Sequence, residues 1–219
     1  MKLQESKSWQ EAQLHQLKVR YHQARRLLRW TVSPAEFRVS PLEAAPDFSY
    51  PLYGRCLPIR REDSDSHPLL EEGKLANLRL AAPCFDGLHL GPGRPLSFWG
   101  VLGRVTGRRG FRHGMELRAG CVVPALGGGL CLLSNALFEM AARLDWKILE
   151  RHGHTIEAVP SHSRPWGLDA TVFWPYVDLR VEPRTPSASC LGQGRVALAG
   201  RRGGSSGRDP GRTRRAGLL

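Results

Sequence analysis

The stretch ALGGGLCLLSN, residues 125–135, places three glycines directly before a leucine, a cysteine and an apolar run. Glycine costs backbone entropy and buries no side chain, so three in a row indicate a backbone that turns sharply or approaches a neighbour closely. Apolar residues then recur at helical spacing in a span without Gly or Pro: Leu130, Leu133, Leu137, Ala141 and Leu144. The pattern predicts a Gly-rich turn followed by a buried helix.

Cys131 has unusual surroundings among the five cysteines of the chain. If the helix begins near Leu130, the sulfur lies in its first turn, where unpaired N–H groups and the helix dipole favour an anion. The N–H groups of Gly127, Gly128 and Gly129 could then stabilise an oxyanion on a substrate carbonyl. This combination is typical of a thiolate nucleophile.

A thiolate nucleophile needs a proton carrier, and His152, His154 and His162 follow, with Asp169 beyond them. A histidine oriented by a carboxylate would complete a nucleophile–base–orienter set. A structural interpretation stays open beside the catalytic one. Buried cysteine often acts as a small apolar residue, and Gly-rich turns often precede helices for packing reasons.

The same histidines raise the question of a metal. His152 and His154 in ERHGHT, with His162, are possible ligands, but an HxH pair alone is a weak signal. The five cysteines are an odd number without CxxC spacing, which excludes a simple disulfide framework or a zinc ribbon. The sequence therefore predicts neither a metal nor a cofactor.

Composition limits the architecture. A chain of 219 residues that is 41% hydrophobic can bury one core of ordinary size, and one domain is expected. No stretch reaches 18 apolar residues, so no transmembrane segment is predicted. The first 30 residues lack the uninterrupted apolar region of a signal peptide, which predicts a cytoplasmic protein.

The net charge of +12 is concentrated at the two ends of the chain. Residues 1–31 have a net charge of +5 and residues 181–219 one of +6, which leaves +1 for the middle. Basic ends of this kind predict non-specific contact with polyanions. They say little about the function of the nearly neutral middle.

Residues 8–30 have the pattern of an amphipathic helix. Its apolar positions recur at spacings of three and four: Leu14, Leu17, Tyr21, Ala24 and Leu28. We expect this apolar face to pack on the domain and the basic residues to be solvated. A helix lying on a membrane surface is the alternative.

The rest of the chain divides into helices and short strands. Residues 32–66 are interrupted by prolines and predicted irregular, and residues 71–82 form a candidate helix ended by Pro83. Strands are expected within 85–111, at 155–159 and within 168–183, with Pro175 at an edge or bulge. The prediction is a single α+β domain in which the buried helix packs on a mostly antiparallel sheet.

The domain boundaries follow from these patterns. Residues 1–66 hold the N-terminal helix and the irregular segment, residues 67–183 the domain, and residues 184–219 a basic tail. Because the tail is rich in Gly, Arg and Ser and almost free of aromatic residues, it is predicted to be disordered.

Four segments in this order resemble the VanW family, over about residues 74–183, roughly half of the chain. They are LSFWGVLGRVTGRRGFRHGMELRAGC, GGGLCLLSN, LERHGHTIEAVP and GLDATVFWPYVDLRVEP. The family is linked to glycopeptide (vancomycin) resistance and to the cell envelope, and some of its domains to L,D-transpeptidation of peptidoglycan through a cysteine. The resemblance therefore implies a bacterial envelope role and a cell-wall peptide or precursor as partner.

By motif position, the resemblance implies Cys131 as the nucleophile, His154 as the base and Asp169 as the orienter. Glu150 and Arg151 would support the site or form an ion pair that fixes the loop, and Ser134 is a further support candidate. The family commonly has Gln where this chain has Leu132, and the tail after Pro183 departs from the family pattern, as a frameshifted C-terminus would. The alternative function is a non-catalytic accessory protein that binds a wall precursor or a protein partner.

Overall fold

The computed structural model of the chain describes residues 9–34, 37, 50–56, 68–118, 121–154, 169–185, 187–192 and 195–200. The helices are α1 (Trp9–Val32), α2 (Pro68–Ala81), α3 (Phe98–Leu102) and α4 (Cys131–Arg143). The strands are β1 (Tyr50–Cys56), β2 (His89–Leu90), β3 (Leu96–Ser97), β4 (His113–Arg118), β5 (Cys121–Leu126), β6 (Lys147–Glu150), β7 (Arg180–Glu182), β8 (Ser187–Gly192) and β9 (Arg195–Gly200).

The strands form three antiparallel groups: a four-stranded sheet in the order β1-β9-β8-β2, a three-stranded sheet β3-β7-β6, and the hairpin β4-β5. The mixture of helices with antiparallel sheets confirms the α+β prediction. Strand β5 ends at Leu126, so the hairpin delivers the chain directly into the glycine turn that precedes α4.

Helix α4 is the buried helix that the pattern predicted. Every residue from 133 to 141 is buried, including the polar side chains of Ser134, Asn135 and Glu139. Leu133, Leu137 and Met140 join a single core cluster with aromatic side chains from several other elements: Phe85, Phe98, Trp99, Phe111 and Trp146. Burial of this apolar area is what holds α4 in the centre of the domain.

Helix α1 forms as predicted, but its contact face differs from the prediction. The apolar face that includes Leu14, Leu17 and Leu28 is exposed. The helix contacts the domain through residues on its other side, where Trp30 packs edge-to-face on Trp174 with ring centroids 5.0 Å apart. Aromatic and ionic contacts therefore decide how this helix docks, and its apolar periodicity does not.

Two segments without a predicted strand contain strands. Strand β1 lies within the segment predicted to be irregular, and β8 and β9 lie within the tail predicted to be disordered. Strands β1 and β8 both pair with β9, so backbone hydrogen bonds between distant segments stabilise them. Composition does not report such pairing. Residues 201–219 lie outside the described residues.

The remaining elements are shorter than predicted or shifted. Helix α2 begins at Pro68 and ends at Ala81, and Pro83 lies in a 3-10 turn, Ala82–Phe85. Pro175 lies in a turn whose ends, Phe173 and Val177, form an isolated bridge.

Within 168–183, Asp178 and Arg180 alternate in sequence with apolar residues, yet both polar side chains are buried. Asp178 accepts hydrogen bonds from the Ser97 hydroxyl and the Trp99 N–H, and Arg180 stacks over Phe37. The strand predicted at 155–159 lies outside the described residues. None of the helices in the described ranges has the length and apolar character needed to cross a bilayer.

Candidate active site

Cys131 is the first residue of α4, and its side chain is partly exposed. Its sulfur lies 3.6 Å from the hydroxyl oxygen of Thr171, a residue that follows the candidate orienter closely in sequence. The start of the helix and the segment 169–172 therefore meet at the cysteine. The side chain of the predicted nucleophile is therefore partly accessible to solvent.

The carboxylate of Asp169 contacts His154 at two atoms. Its Oδ2 accepts the main-chain N–H of His154 at 2.6 Å, and its Oδ1 lies 2.7 Å from the ring Nδ1. With Nδ1 held by the carboxylate, Nε2 is the ring nitrogen left for a second partner. The side chains of His154 and Asp169 are 18% and 16% exposed, so the pair is accessible at its edge.

His154 also interacts electrostatically with Cys131. The pKa of His154 is raised from 6.5 to about 10, first by the hydrogen bond to Asp169 and then by the hydrogen bond to Cys131, against the opposing effect of burial. An imidazole with this pKa carries a positive charge at neutral pH. The three residues that the sequence singled out for catalysis thus form one connected group.

Desolvation by partial burial acts to raise the pKa of Asp169, but the hydrogen bonds from His154 outweigh it, so that pKa is lowered. The guanidinium of Arg151 adds attraction to the carboxylate and donates from Nε to the main-chain oxygen of Asp169 at 2.6 Å. Arg151 also lies over the ring of Phe138 at 5.1 Å. Arg151 therefore fixes the backbone of Asp169, the candidate orienter.

Two polar residues of α4 hold the segment that carries Asp169. Ser134 donates to the main-chain oxygen of Ala170 at 2.6 Å, and Asn135 accepts the N–H of Ala170 at 2.6 Å. Ser134, predicted as a support residue, therefore fixes the backbone of the segment that follows Asp169. Asn135 escaped the sequence reasoning, although it stands in the opening stretch, because a buried amide has no periodic signature.

The glycine turn has a packing reason. Gly127 and Gly129 have φ angles of +79° and +97°, which L residues with a side chain rarely adopt. A Cβ on Gly128 would lie 2.3 Å from the backbone carbonyl of Gly114, and one on Gly129 would lie 2.5 Å from the Cγ of Lys74. The turn is therefore pressed against β4 and α2.

Two of the three glycine N–H groups predicted to bind an oxyanion are already occupied. Gly127 donates to the Arg112 carbonyl and Gly128 to the Ala125 carbonyl, each at 2.9 Å. These bonds close the turn onto the hairpin. In the described part of the chain, the N–H groups of this turn that are not committed in this way are those of Gly129 and Cys131.

Asn77 of α2 is a further residue that sequence reasoning missed. Its fully buried amide donates to the carbonyl oxygens of Arg112 and Gly128 at 3.0 and 2.9 Å, and accepts the Arg112 N–H at 2.8 Å. It thereby joins the helix, the hairpin and the glycine turn. A single asparagine inside a helix offers no sequence signal for such a role.

Glu150 does not lie in the group around Cys131. Its carboxylate forms an ion pair with Arg26 of α1 and accepts the N–H of Asp178 at 3.2 Å. His152 turns toward the same carboxylate, with Nε2 3.4 Å from Oε1. Glu150 therefore links α1, through Arg26, to the end of β6, the strand that precedes His154.

The histidines do not form a metal centre with their described neighbours. Across the described ranges, no group of three His, Cys, Asp or Glu side chains is placed to hold a metal ion. His162, the third ligand considered, lies outside these ranges. The chemistry that the described group supports is proton transfer to and from a sulfur nucleophile.

Comparisons with known proteins point to one family. The chain is 31% identical over 119 residues to the vancomycin B-type resistance protein VanW of Enterococcus faecalis, which covers 53% of this chain and 43% of that protein. It is 33% identical over 106 residues to the uncharacterized protein YoaR of Bacillus subtilis, covering 48% of this chain and 34% of the other. The chain thus spans less than half the length of these two curated relatives.

No solved structure matches the chain. The family model described as VanW like protein matches residues 73–195, which include Cys131, His154 and Asp169 and extend past Pro183 into β9. This match covers more than half of the chain. The chain belongs to the VanW family.

Proposed function

We propose that this protein is a cysteine-dependent acyl transferase of the L,D-transpeptidase type that acts on peptidoglycan stem peptides in glycopeptide resistance. The observation that carries the proposal is the connected group of Cys131, His154 and Asp169. Acyl transfer through a cysteine typically uses a nucleophile that interacts with a base, and a third residue that orients the base.

In the proposed reaction, Cys131 reacts as a thiolate whose proton lies on the positively charged His154, and the sulfur attacks a carbonyl carbon of the stem peptide. The tetrahedral intermediate collapses when its C–N bond breaks, and the departing amine takes a proton from His154. A thioester on Cys131 remains. The amine of a second stem attacks the thioester carbon and gives a proton to His154. The C–S bond breaks as the new amide bond forms, which restores the Cys131 thiolate beside a protonated His154.

The residues around the group support these steps. The two hydrogen bonds from Asp169 keep the His154 ring oriented, and they stabilise its charged form while the thiolate exists. The uncommitted N–H groups of Gly129 and Cys131 are the donors we assign to the oxyanion of the intermediate. Thr171, 3.6 Å from the sulfur, is a further hydrogen-bonding group beside the nucleophile.

The substrate class rests on family membership. The Enterococcus faecalis relative is named as a vancomycin B-type resistance protein, and we extend that association to this chain. The cell-wall peptide comes from the family resemblance of the motifs that carry Cys131, His154 and Asp169.

A first experiment measures nucleophile reactivity. We expect iodoacetamide to alkylate Cys131 faster than Cys84 and Cys121 at pH 6, since only Cys131 has a protonated imidazole as neighbour. Peptide mass spectrometry reads each cysteine separately. A Cys131 that reacts no faster than the other two would favour the accessory function, in which the same surface binds a wall precursor without turnover.

A second experiment measures turnover. Incubation with a synthetic stem peptide should add the acyl mass to the protein, and a D-amino acid acceptor should release it as a new product. Cys131→Ala should abolish both signals, whereas Cys121→Ala, at an exposed position of the hairpin, should retain them. Turnover that survives Cys131→Ala would overturn the proposal, and peptide binding without any adduct would support the accessory function.

A further inference from the structure

Among the described residues, helix α1 contacts the domain along one side. The partly buried positions Val19, Gln23, Arg26 and Trp30 follow each other at spacings of four, three and four, which defines one face. Arg26 forms the ion pair with Glu150 and also donates to the Tyr176 carbonyl at 3.0 Å. We call this the docked face.

The opposite side of α1 carries an exposed apolar stripe. Leu14, Leu17, Tyr21, Leu28 and Val32 are exposed by 54%, 61%, 63%, 64% and 73%. With about 100° per residue, these positions fall within an arc of about 60°, about half a turn from the docked face. The stripe therefore points away from the part of the domain that the structure describes.

Basic side chains border this stripe. Lys18, Arg25 and Arg29 are exposed along one edge of it, and Arg20 is exposed on the other side. A cavity of about 160 Å³ lies between α1 and Tyr176, next to the first of these edges. His22, Arg25, Arg26 and Arg29 line it together with Tyr176. The only acidic residue within α1 is Glu11, near its start. The border of the stripe is thus strongly cationic.

We propose that α1 lies on the surface of an anionic lipid bilayer, with the apolar stripe inserted and the basic border against headgroup phosphates. An apolar stripe flanked by Lys and Arg is the arrangement of helices that bind in the membrane interface. Each basic residue near an anionic surface adds attraction, and the uncharged stripe removes apolar area from water.

The charge distribution favours a bilayer over a second copy of the chain. Pairing two α1 stripes would bring the basic borders of both copies together, and these like charges would repel. A bilayer with anionic lipids presents the opposite charge on both sides of the stripe. This proposal does not depend on acyl transfer, although the Arg26–Glu150 pair would then hold the candidate active site close to the membrane.

The test uses the full chain and flotation with lipid vesicles. Wild type should float with phosphatidylcholine vesicles that contain about one third phosphatidylglycerol, and much less with phosphatidylcholine alone. Leu17→Asp combined with Leu28→Asp should weaken the partition by at least about tenfold. Lys18→Glu combined with Arg25→Glu should do the same and reduce the dependence on salt.

The matched control is Leu69→Asp, which changes a leucine 78% exposed on α2 and should leave flotation unchanged. Thermal unfolding of each variant checks that the fold is retained. Three results would overturn the proposal. The first is wild type that does not float, and the second is flotation that the stripe variants do not change. The third is a dimer in light scattering that Leu17→Asp with Leu28→Asp dissociates, while vesicles bind none of the proteins. The second result would assign membrane contact to another basic segment.

Discussion

The Asp169 carboxylate binds both the main-chain N–H and the ring Nδ1 of His154, at 2.6 and 2.7 Å. The two contacts fix the backbone and the ring of the same residue, so the imidazole has little freedom to rotate. Because Asp169 is itself held through Ala170 by Ser134 and Asn135, the core helix determines where His154, the candidate base, lies. Cys131, the candidate nucleophile, belongs to that same helix, which sets the distance between the two groups.

Replacing Asp169 with Asn should lower the pKa of His154 from about 10 toward 6.5, because the largest contribution to the raised pKa is lost. The interaction with Cys131 also raises the pKa of His154, so part of the shift should remain in the variant. NMR titration of the imidazole carbons measures the change. Asp145→Asn, at a carboxylate that is 89% exposed, is the control and should leave the titration of His154 unaltered. An unchanged His154 titration in Asp169→Asn would contradict the assigned pair.

The raised pKa of His154 also makes its contribution to stability depend on pH. Because the folded pKa lies above the unfolded one, the contribution is complete below pH 6.5 and disappears as pH rises through about 10. The lowered pKa of Asp169 sets the acid limit, since its contribution is complete above pH 3.8 and is lost as pH falls below it.

Urea unfolding of wild type and His154→Ala over a pH series measures this dependence. The difference in free energy of unfolding should be largest between pH 3.8 and 6.5 and should shrink on both sides. A difference that stays constant from pH 6 to pH 10 would show that the folded protein does not stabilise the charged imidazole.

Gly128→Ala should destabilise the fold by about 3 kcal/mol or more, because its Cβ would lie 2.3 Å from the backbone of Gly114 and neither backbone can move freely. The free energy of unfolding in urea measures the loss. Gly107→Ala is the matched control, because a Cβ there meets no atom within 4 Å and should change stability by less than about 0.5 kcal/mol. Equal effects at the two glycines would contradict the packing of the turn against β4.

Arg26→Ala should cost about 3 kcal/mol, because it leaves the Glu150 carboxylate without its guanidinium in a site where both side chains are largely buried. In a double-mutant cycle with Glu150→Ala, the coupling should be about 2 kcal/mol. The more exposed pair Lys147–Glu182 is the comparison, with an expected coupling below about 1 kcal/mol. A larger coupling in that surface pair would contradict the docking of α1 through Arg26.

Local patterns were enough to predict several elements. The spacing of Leu133, Leu137 and Ala141 predicted a buried helix, and α4 is that helix, since a core helix must place an apolar residue at every turn that faces its neighbours. Helices α1 and α2 were also predicted to within a few residues. Burial on all sides of α4, including Ser134 and Asn135, was not predictable, because it depends on what surrounds the helix.

The docking of α1 and the strands β8 and β9 show where local patterns fail. The apolar periodicity of α1 marks the stripe that is exposed in the structure. The same spacing occurs whether a stripe packs on the core or faces a partner outside the domain, so the periodicity does not show which side of the helix docks. Strands β8 and β9 pair with each other, and β9 also pairs with β1, which lies over 100 residues earlier in sequence. Pairing over such a separation leaves no signal in the composition of the tail.

The sequence by itself determined the helix after the glycine turn, the family, and the identity of Cys131, His154 and Asp169 as candidates, because local spacing and motifs carry this information. The tertiary structure alone decided that these three meet, that two glycine N–H groups are occupied and that Glu150 belongs to the docking of α1. Such facts are distances between residues far apart in the chain. They exist only once burial and hydrogen bonding have brought the elements together.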